Sequence, residues 1–319
     1  MTGSGPPRVH RTEHSLIVAA PPARLYALIA DAASWPAVFG PCVHVRHLAR
    51  TDRSERFELW AEVNGEVRQW TSRRTLAPER FYVGFRQERS APPVASMGGG
   101  WLLRPLSGRR TEVVLRHRFT TVGDDPVAPA GLLAALDRNS GSELAALARV
   151  AESGHPVRDV VLTFSDTIEA ACPAEAAYAF VERADLWAER LPHVSRSELM
   201  EVAPGVQELA METVTPDGAA HTTRSVRVCH RPEWIAYKQR VLPELLLGHS
   251  GLWTFEDVGA GRGARATARH TVVIDAAAVP SVLGEGATPA DARAYVRRAL
   301  GNNSRTTLSL AVGAGTAAR

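Results

Sequence analysis

Residues 68–76 read Arg-Gln-Trp-Thr-Ser-Arg-Arg-Thr-Leu. In a strand, successive side chains point to opposite faces. Trp70, Ser72, Arg74 and Leu76 therefore share one face, and Gln69, Thr71, Arg73 and Thr75 the other. The second set is wholly polar and belongs in water. The first faces inward and places a guanidinium beside an indole and a hydroxyl. A buried cation is costly unless it is neutralised, and this strand carries no carboxylate on that face. Two readings follow: a carboxylate on another strand pairs with Arg74, or the three residues form a preorganised donor array aimed at ligand oxygens. The second reading is preferred and makes Arg74, Ser72 and Trp70 the candidate catalytic set. It expects Arg74→Ala to abolish the chemistry while leaving the fold intact.

Other polar residues weigh less. His117 and His270 sit on the inward parity of their strands, beside Leu115 and Phe119 or Ala268 and Val272, and read as hydrogen-bonded core histidines. Asn139 and Asn303 interrupt the apolar stripes of two helical segments; each either points into a cavity or bonds local backbone. Gly98-Gly-Gly100 has no following Lys-Ser/Thr and opens no helix, so it reads as a bulge or strand bend rather than a phosphate loop. Neither a Ser-His-Asp order, nor a metal-ligand cluster, nor a dinucleotide fingerprint is visible.

The elements that must position these residues recur. Val83-Gly-Phe-Arg-Gln87 corresponds to Ile235-Ala-Tyr-Lys-Gln239, and Gly99-Gly-Trp101 to Gly251-Leu-Trp253. Gln87/Gln239, Trp101/Trp253, Tyr26/Tyr178 and Trp35/Trp187 all differ by 152 (239 − 87; 253 − 101; 178 − 26; 187 − 35). His117 and His270 follow, displaced by one after the glycine-rich turn Gly259-Ala-Gly261-Arg-Gly263. The chain is a duplication, joined near residues 152–158, with domains expected at 8–153 and 158–315.

Each repeat predicts a strand (13–20; 161–171), then short helices opening at Pro22 or Pro173. About six strand-like segments come next, and a long amphipathic helix closes the repeat (about 129–151; 289–312). That is an α+β domain in which a curved antiparallel sheet wraps a helix and leaves a cavity between them.

Composition excludes several classes. The 319 residues are 45% hydrophobic and 22% charged, enough apolar material for two cores. Thirty-seven basic residues against 34 acidic make a mild, dispersed excess with no basic arm, which argues against nucleic acid. No apolar run spans a membrane, and the first fifteen residues lack a signal-peptide core. Cys42, Cys172 and Cys229 are too scattered for a disulfide framework or a zinc site. A reducing cytoplasm is the expected location.

Trp70-x-Ser72-x-Arg74, following Ser34-Trp-Pro-Ala-Val-Phe-Gly40, resembles the pocket motif of the aromatase/cyclases of bacterial type II aromatic polyketide biosynthesis. Further matches are Arg86, Met97, Trp101 and Asn139, and the similarity covers the whole chain because the family includes two-domain forms. The resemblance implies tandem helix-grip (START/Bet v 1-like) domains. It implies a substrate cavity walled by Trp35, Phe39, Arg86, Met97, Trp101 and Asn139.

It further implies cyclisation of a poly-β-ketone held on an acyl carrier protein. The expected chemistry is first-ring aldol closure, C7–C12 on a C9-reduced chain, then dehydrative aromatisation. Ketosynthase and ketoreductase are implied partners, and neither cofactor nor metal is called for. A non-catalytic carrier of a hydrophobic small molecule is the alternative. One departure stands out: Cys42 occupies a place where single-domain members often have tyrosine.

In the second repeat the 152 spacing puts Thr222, Arg224 and Val226 where Trp70, Ser72 and Arg74 lie. The second domain is then either a degenerate partner or has a pocket of its own, with Trp187, His193, Arg224 and Asn303 as candidates.

Overall fold

Asn64 and Gly65 both adopt positive φ (53° and 83°), the conformation an Asn-Gly hairpin turn demands. They close a hairpin between β3 (Ser54–Val63) and β4 (Glu66–Ala77). In this computed structural model, which describes residues 7–123, 127–214, 220–259 and 263–317, the hairpin lies inside a seven-stranded antiparallel sheet. The other strands are β1 (His10–Val18), β2 (Cys42–Arg50), β5 (Tyr82–Arg89), β6 (Val94–Ser107) and β7 (Arg110–Thr121). Their order is β1-β7-β6-β5-β4-β3-β2. Between β1 and β2 run α1 (Pro22–Ala30) and α2 (Trp35–Val38); α3 (Ala128–Ala151) closes the domain and packs on β1 and β7. Pro22 starts α1 where a missing N–H costs nothing.

A single turn, α4 (Val157–Val160), precedes the second copy. This has β8 (Val161–Ala170), α5 (Ala174–Glu182), α6 (Trp187–Arg190), β9 (Val194–Ala203), β10 (Val206–Val214), β11 (Ala220–His230), β12 (Trp234–Val241), β13 (Leu246–Val258), β14 (Gly263–Ile274), α7 (Val279–Leu283) and α8 (Pro289–Ala317). Its sheet order, β8-β14-β13-β12-β11-β10-β9, repeats that of the first. The chain divides into units Met1–Val157 and Arg158–Arg319. Both are α+β helix-grip domains, as the sequence leads one to expect. The glycine-rich turn lies outside the described residues at positions 260–262. Among the described residues no helix is long and apolar enough to cross a membrane.

The glycine run differs from expectation. The register of β6 shifts near Val94 and Pro105, not at Gly98–Gly100. Glycine is required by close approach instead. A Cβ on Gly99 would lie 1.9 Å from the Arg116 carbonyl oxygen and 2.7 Å from the Phe85 ring. Gly251, 152 residues on, does the same for the Tyr237 ring, which would sit 2.2 Å from its Cβ.

That tyrosine organises the second interior. Its hydroxyl lies 3.1 Å from His270 Nδ1 and 3.4 Å from His249 Nε2; the two histidines approach to 3.1 Å, and His270 Nε2 reaches Ser304 Oγ at 3.1 Å. His270 is thus the hydrogen-bonded core histidine that the sequence suggests. Burial holds its pKa at about 4 and that of His249 well below the ordinary value, the latter aided by the neighbouring His270.

The unfolded chain takes up these protons near the ordinary value of 6.5, the folded chain only near 4 for His270. Stability is therefore unaffected above pH 6.5 and falls as pH drops toward 4, by on the order of 3 kcal/mol from His270 alone. His249→Met removes one of the two buried imidazoles and should flatten this dependence. Urea unfolding at pH 7 and 4.5 measures it, and equal slopes in variant and wild type would refute the reading.

Candidate functional site

Alternation in β4 is as expected: Ser72, Arg74 and Leu76 are buried, Arg73 and Thr75 exposed, and Trp70 half-buried. Arg74 is only 1% exposed, but it is not a free donor. Its Nε donates to Glu55 Oε1 at 2.5 Å, and Nη2 pairs with the same carboxylate. Nη1 and Nη2 donate to the Ile29 and Ala30 carbonyls, each at 2.7 Å. Those carbonyls end α1, where unsatisfied acceptors and the negative end of the helix dipole favour a cation. The guanidinium also lies 4.5 Å from the Trp35 ring and 5.4 Å from that of Phe57.

The preferred sequence reading, an unneutralised donor array, is thus corrected for Arg74. Glu55 faces it across the β3–β4 pair, and the Asn64-Gly65 turn that sets this register was the signal. Burial works to raise the Glu55 carboxyl, yet the hydrogen bond from His47 and the charge of Arg74 outweigh it and hold it below the usual range. Burial in turn lowers Arg74, opposed by Glu55.

Above this junction a cavity of about 620 Å³ opens between sheet and α3, a size suited to a small organic ligand. Trp35, Phe39, Trp70, Ser72, Met97, Trp101 and Asn139 all line it, as expected. Phe39 stacks on Trp101 with centroids 6.0 Å apart and meets Trp35 edge-on at 5.4 Å. Asn139 takes the first of its two alternatives: it lines the cavity, and it donates to the distant Glu62 carbonyl at 3.1 Å rather than to local backbone. Ser72 Oγ has only a long contact, 3.4 Å, to the Arg86 carbonyl. Cys42 stands on the wall, and among the described lining residues none is a tyrosine.

Arg86 does not belong there. Phe85 and Gln87 line the cavity, so the residue between them points to the opposite face of β5, and it is exposed.

Three polar groups that the sequence reading missed or undervalued complete the wall. His117 also lines the cavity, and its Nδ1 is buried without a hydrogen-bond partner; burial, with a contribution from His14, lowers its pKa to about 4. It is thus not the satisfied core histidine expected. Ser140 Oγ is likewise buried and unpartnered. Glu143 lies one turn beyond Asn139, on the same stripe of α3 as Leu132, Ala135 and Leu136. That i, i+3, i+4 spacing was legible in the sequence.

The second domain builds the junction but not the wall. Arg227, 2% exposed, donates to the Val181 and Glu182 carbonyls at 2.7 and 3.2 Å and lies 5.5 Å from the Trp187 ring. Ser225 pairs with Gln239 and Arg227 with Tyr237, as Ser72 pairs with Gln87 and Arg74 with Phe85. The counterparts of Trp70, Ser72 and Arg74 are therefore Thr223, Ser225 and Arg227. The turn between β11 and β12 is one residue shorter than that between β4 and β5, so the 152 spacing slips by one in β11.

Arg224 is consequently exposed, which corrects its assignment as an inward residue. Trp187 is spent on Arg227. His193 and Asn303 are half-buried, and neither joins the network around His270.

The family described as polyketide cyclase / dehydrase and lipid transport matches residues 18–141, and a second such family residues 161–306. The chain belongs to the polyketide cyclase/dehydratase family.

It is 59% identical over 303 residues to a granaticin polyketide synthase bifunctional cyclase/dehydratase of Streptomyces violaceoruber, covering 95% of this chain and 93% of that protein. It is 52% identical to the actinorhodin counterpart of Streptomyces coelicolor, covering 97% of this chain and 98% of the other. Among solved structures, the di-domain aromatase/cyclase BexL of the BE-7585A biosynthetic pathway superposes with a TM-score of 0.79 at 44% identity, covering 96% of this chain and 98% of BexL.

The junction makes a prediction that departs from the sequence expectation of an intact fold. Arg74→Ala orphans Glu55 and two helix carbonyls, at an expected cost of about 3–5 kcal/mol. Denaturant unfolding of the full chain reads this as early melting of the first domain; a loss under about 1 kcal/mol would mean the pair is not structural.

Proposed function

We propose that this protein is a polyketide cyclase and dehydratase whose reaction takes place in the first-domain cavity. The observation that carries the reading is a contrast between matched positions. Met97, Phe85, His117 and Ser140 of the first domain correspond to His249, Tyr237, His270 and Ser304 of the second. In the second domain these side chains bond one another; in the first, His117 Nδ1 and Ser140 Oγ are buried without partners in side chains that line the cavity. Buried polar atoms are rarely left unpaired in native proteins, and each exception calls for an explanation; on a cavity wall a ligand supplies one.

The substrate we infer is a poly-β-ketone on an acyl carrier protein. It closes C7 to C12 after reduction at C9, within a synthase that also holds a ketosynthase and a ketoreductase. Such a chain cyclises unaided but without regiospecificity, so the protein must supply orientation. Phe39, Trp35, Trp70 and Trp101 offer flat apolar walls that hold the chain bent. Enolate and alkoxide oxygens develop charge during the aldol step, and donors already in place stabilise them without reorganising. Ser72, Ser140 and the neutral imidazole of His117 supply uncharged donors.

Arg74 also lines the cavity, but its donors are committed to Glu55 and to the end of α1, so its part is to hold Trp35 and Phe57 in place. A buried cation would sit badly with a carrier of neutral lipids, but Glu55 neutralises this one, so it gives no ground against a carrier. The unpaired polar groups of the cavity now bear that argument.

Ala135 lies on the cavity face of α3 and is 4% exposed. Ala135→Trp fills the open space and should abolish the correctly cyclised product of a reconstituted synthase, leaving only shunt products, with thermal melting as the check on folding. An unchanged product profile from a folded variant would exclude the first-domain cavity as the site.

A further inference from the structure

The α3 stripe that faces the cavity ends in Glu143. The Asn-Ser pair with leucine four residues on occurs in both closing helices (Asn139-Ser140…Leu144; Asn303-Ser304…Leu308), and it places Thr307 where Glu143 stands. Thr307 turns its hydroxyl back onto its own helix, donating to the Asn303 carbonyl at 2.9 Å. In the first domain the same place holds a carboxylate on the cavity wall to which, among the described residues, no hydrogen bond or ion pair is made. A desolvated carboxylate without a partner costs stability. Desolvation is the single cause acting on it, and it pushes the carboxyl up to about 7.

The remaining ionisable groups around the cavity are already committed or neutral. Arg74 is neutralised by Glu55, and Glu66 and Arg68 pair at 2.5 Å. The Cys42 thiol stands on the wall at the start of β2. His117, at about 4, holds no second proton at neutral pH.

We propose that Glu143 carries the proton in both reactions of the cavity, the ring-closing aldol and the loss of water; this rests on the cyclase and dehydratase reading above. In ring closure the carboxylate takes a proton from a methylene flanked by two carbonyls. The C–H electron pair becomes the enolate, whose carbon bonds to the ketone carbon. The ketone π pair becomes an alkoxide, and Glu143 returns the proton to it. In dehydration Glu143 takes the proton from the ring carbon next to the new carbinol. That pair forms the C=C bond as the C–O bond breaks, and Glu143 hands the proton to the departing oxygen, releasing water. Both cycles end with the carboxylate as it began and need no oxidant, reductant or second acid. A group close to half-ionised at neutral pH serves as base and as acid in turn.

The test uses the full chain in a reconstituted synthase. Glu143→Gln is close to isosteric and removes an unpaired charge from the cavity wall, so it should melt no earlier than wild type. It should slow formation of the correctly cyclised product by ~100-fold or more. Quenching of tryptophan fluorescence by alizarin, a planar hydroxyanthraquinone, should be unchanged, because binding does not need the proton. Glu143→Asp should recover part of the rate.

The wild-type rate should show an inflection near 7 that is lost in Glu143→Gln and kept in His117→Gln. Wild-type turnover by Glu143→Gln, or survival of that inflection in it, overturns the proposal. If Ala135→Trp abolishes the product while Glu143→Gln does not, the cavity stands and only the role of Glu143 fails. If neither variant alters the product, the functional reading fails with it.

Discussion

A guanidinium seated on the C-terminal carbonyls of the first helix holds each domain together, and the rest of the architecture is built around it. A helix ending inside a protein leaves carbonyls without partners. Arg74 and Arg227 satisfy them from the middle of the sheet. The arrangement fixes where α1 stops, and hence where Trp35 or Trp187 packs, since each indole lies against the same guanidinium. In the first domain Glu55 completes the charge balance. In the second no carboxylate bonds to Arg227 among the described contacts; Glu182 offers its backbone carbonyl, and its side chain acts only through its charge.

With the junction common to both halves, the difference between them lies in what fills the space under the long helix. In the second domain Tyr237 folds over Gly251 and draws His249, His270 and Ser304 into one bonded cluster. Every one of these groups gains a partner, at the expense of open volume. In the first domain a phenyl ring and a thioether take the places of tyrosine and histidine. Neither can bond His117, so its Nδ1 is left without a partner in a side chain that lines the cavity. A duplicated fold thus yields, at matched positions, one set of side chains bonded to one another and one set that lines an open cavity with polar atoms unpaired.

Much of this was legible in the sequence. The duplication, the element order and the inward parity of Trp70, Ser72 and Arg74 follow from spacing and alternation alone. The fate of Arg74 did not emerge, because strand parity shows which face a residue takes and not what stands opposite. The Asn64-Gly65 turn held that information, since pairing outward from it brings Glu55 to Arg74. Arg224 was misplaced for a related reason: a fixed repeat spacing cannot register a turn that is one residue shorter. Arg86 was carried by family resemblance against its own parity between Phe85 and Gln87. Glu143 sat on a stripe visible at helical spacing, but only the cavity shows that its carboxylate lacks a partner.

The central claim is that the open interior of the first domain receives the substrate. A crystal structure of the chain with a hydroxyanthraquinone bound at saturation tests it most directly. The account predicts ring density between Phe39 and Trp101 on one side and α3 on the other, with ligand oxygens in hydrogen-bond reach of His117 Nδ1 and Ser140 Oγ. Density under α8 instead, with the Tyr237–His249–His270 cluster parted to admit it and the first cavity unfilled, would contradict the account.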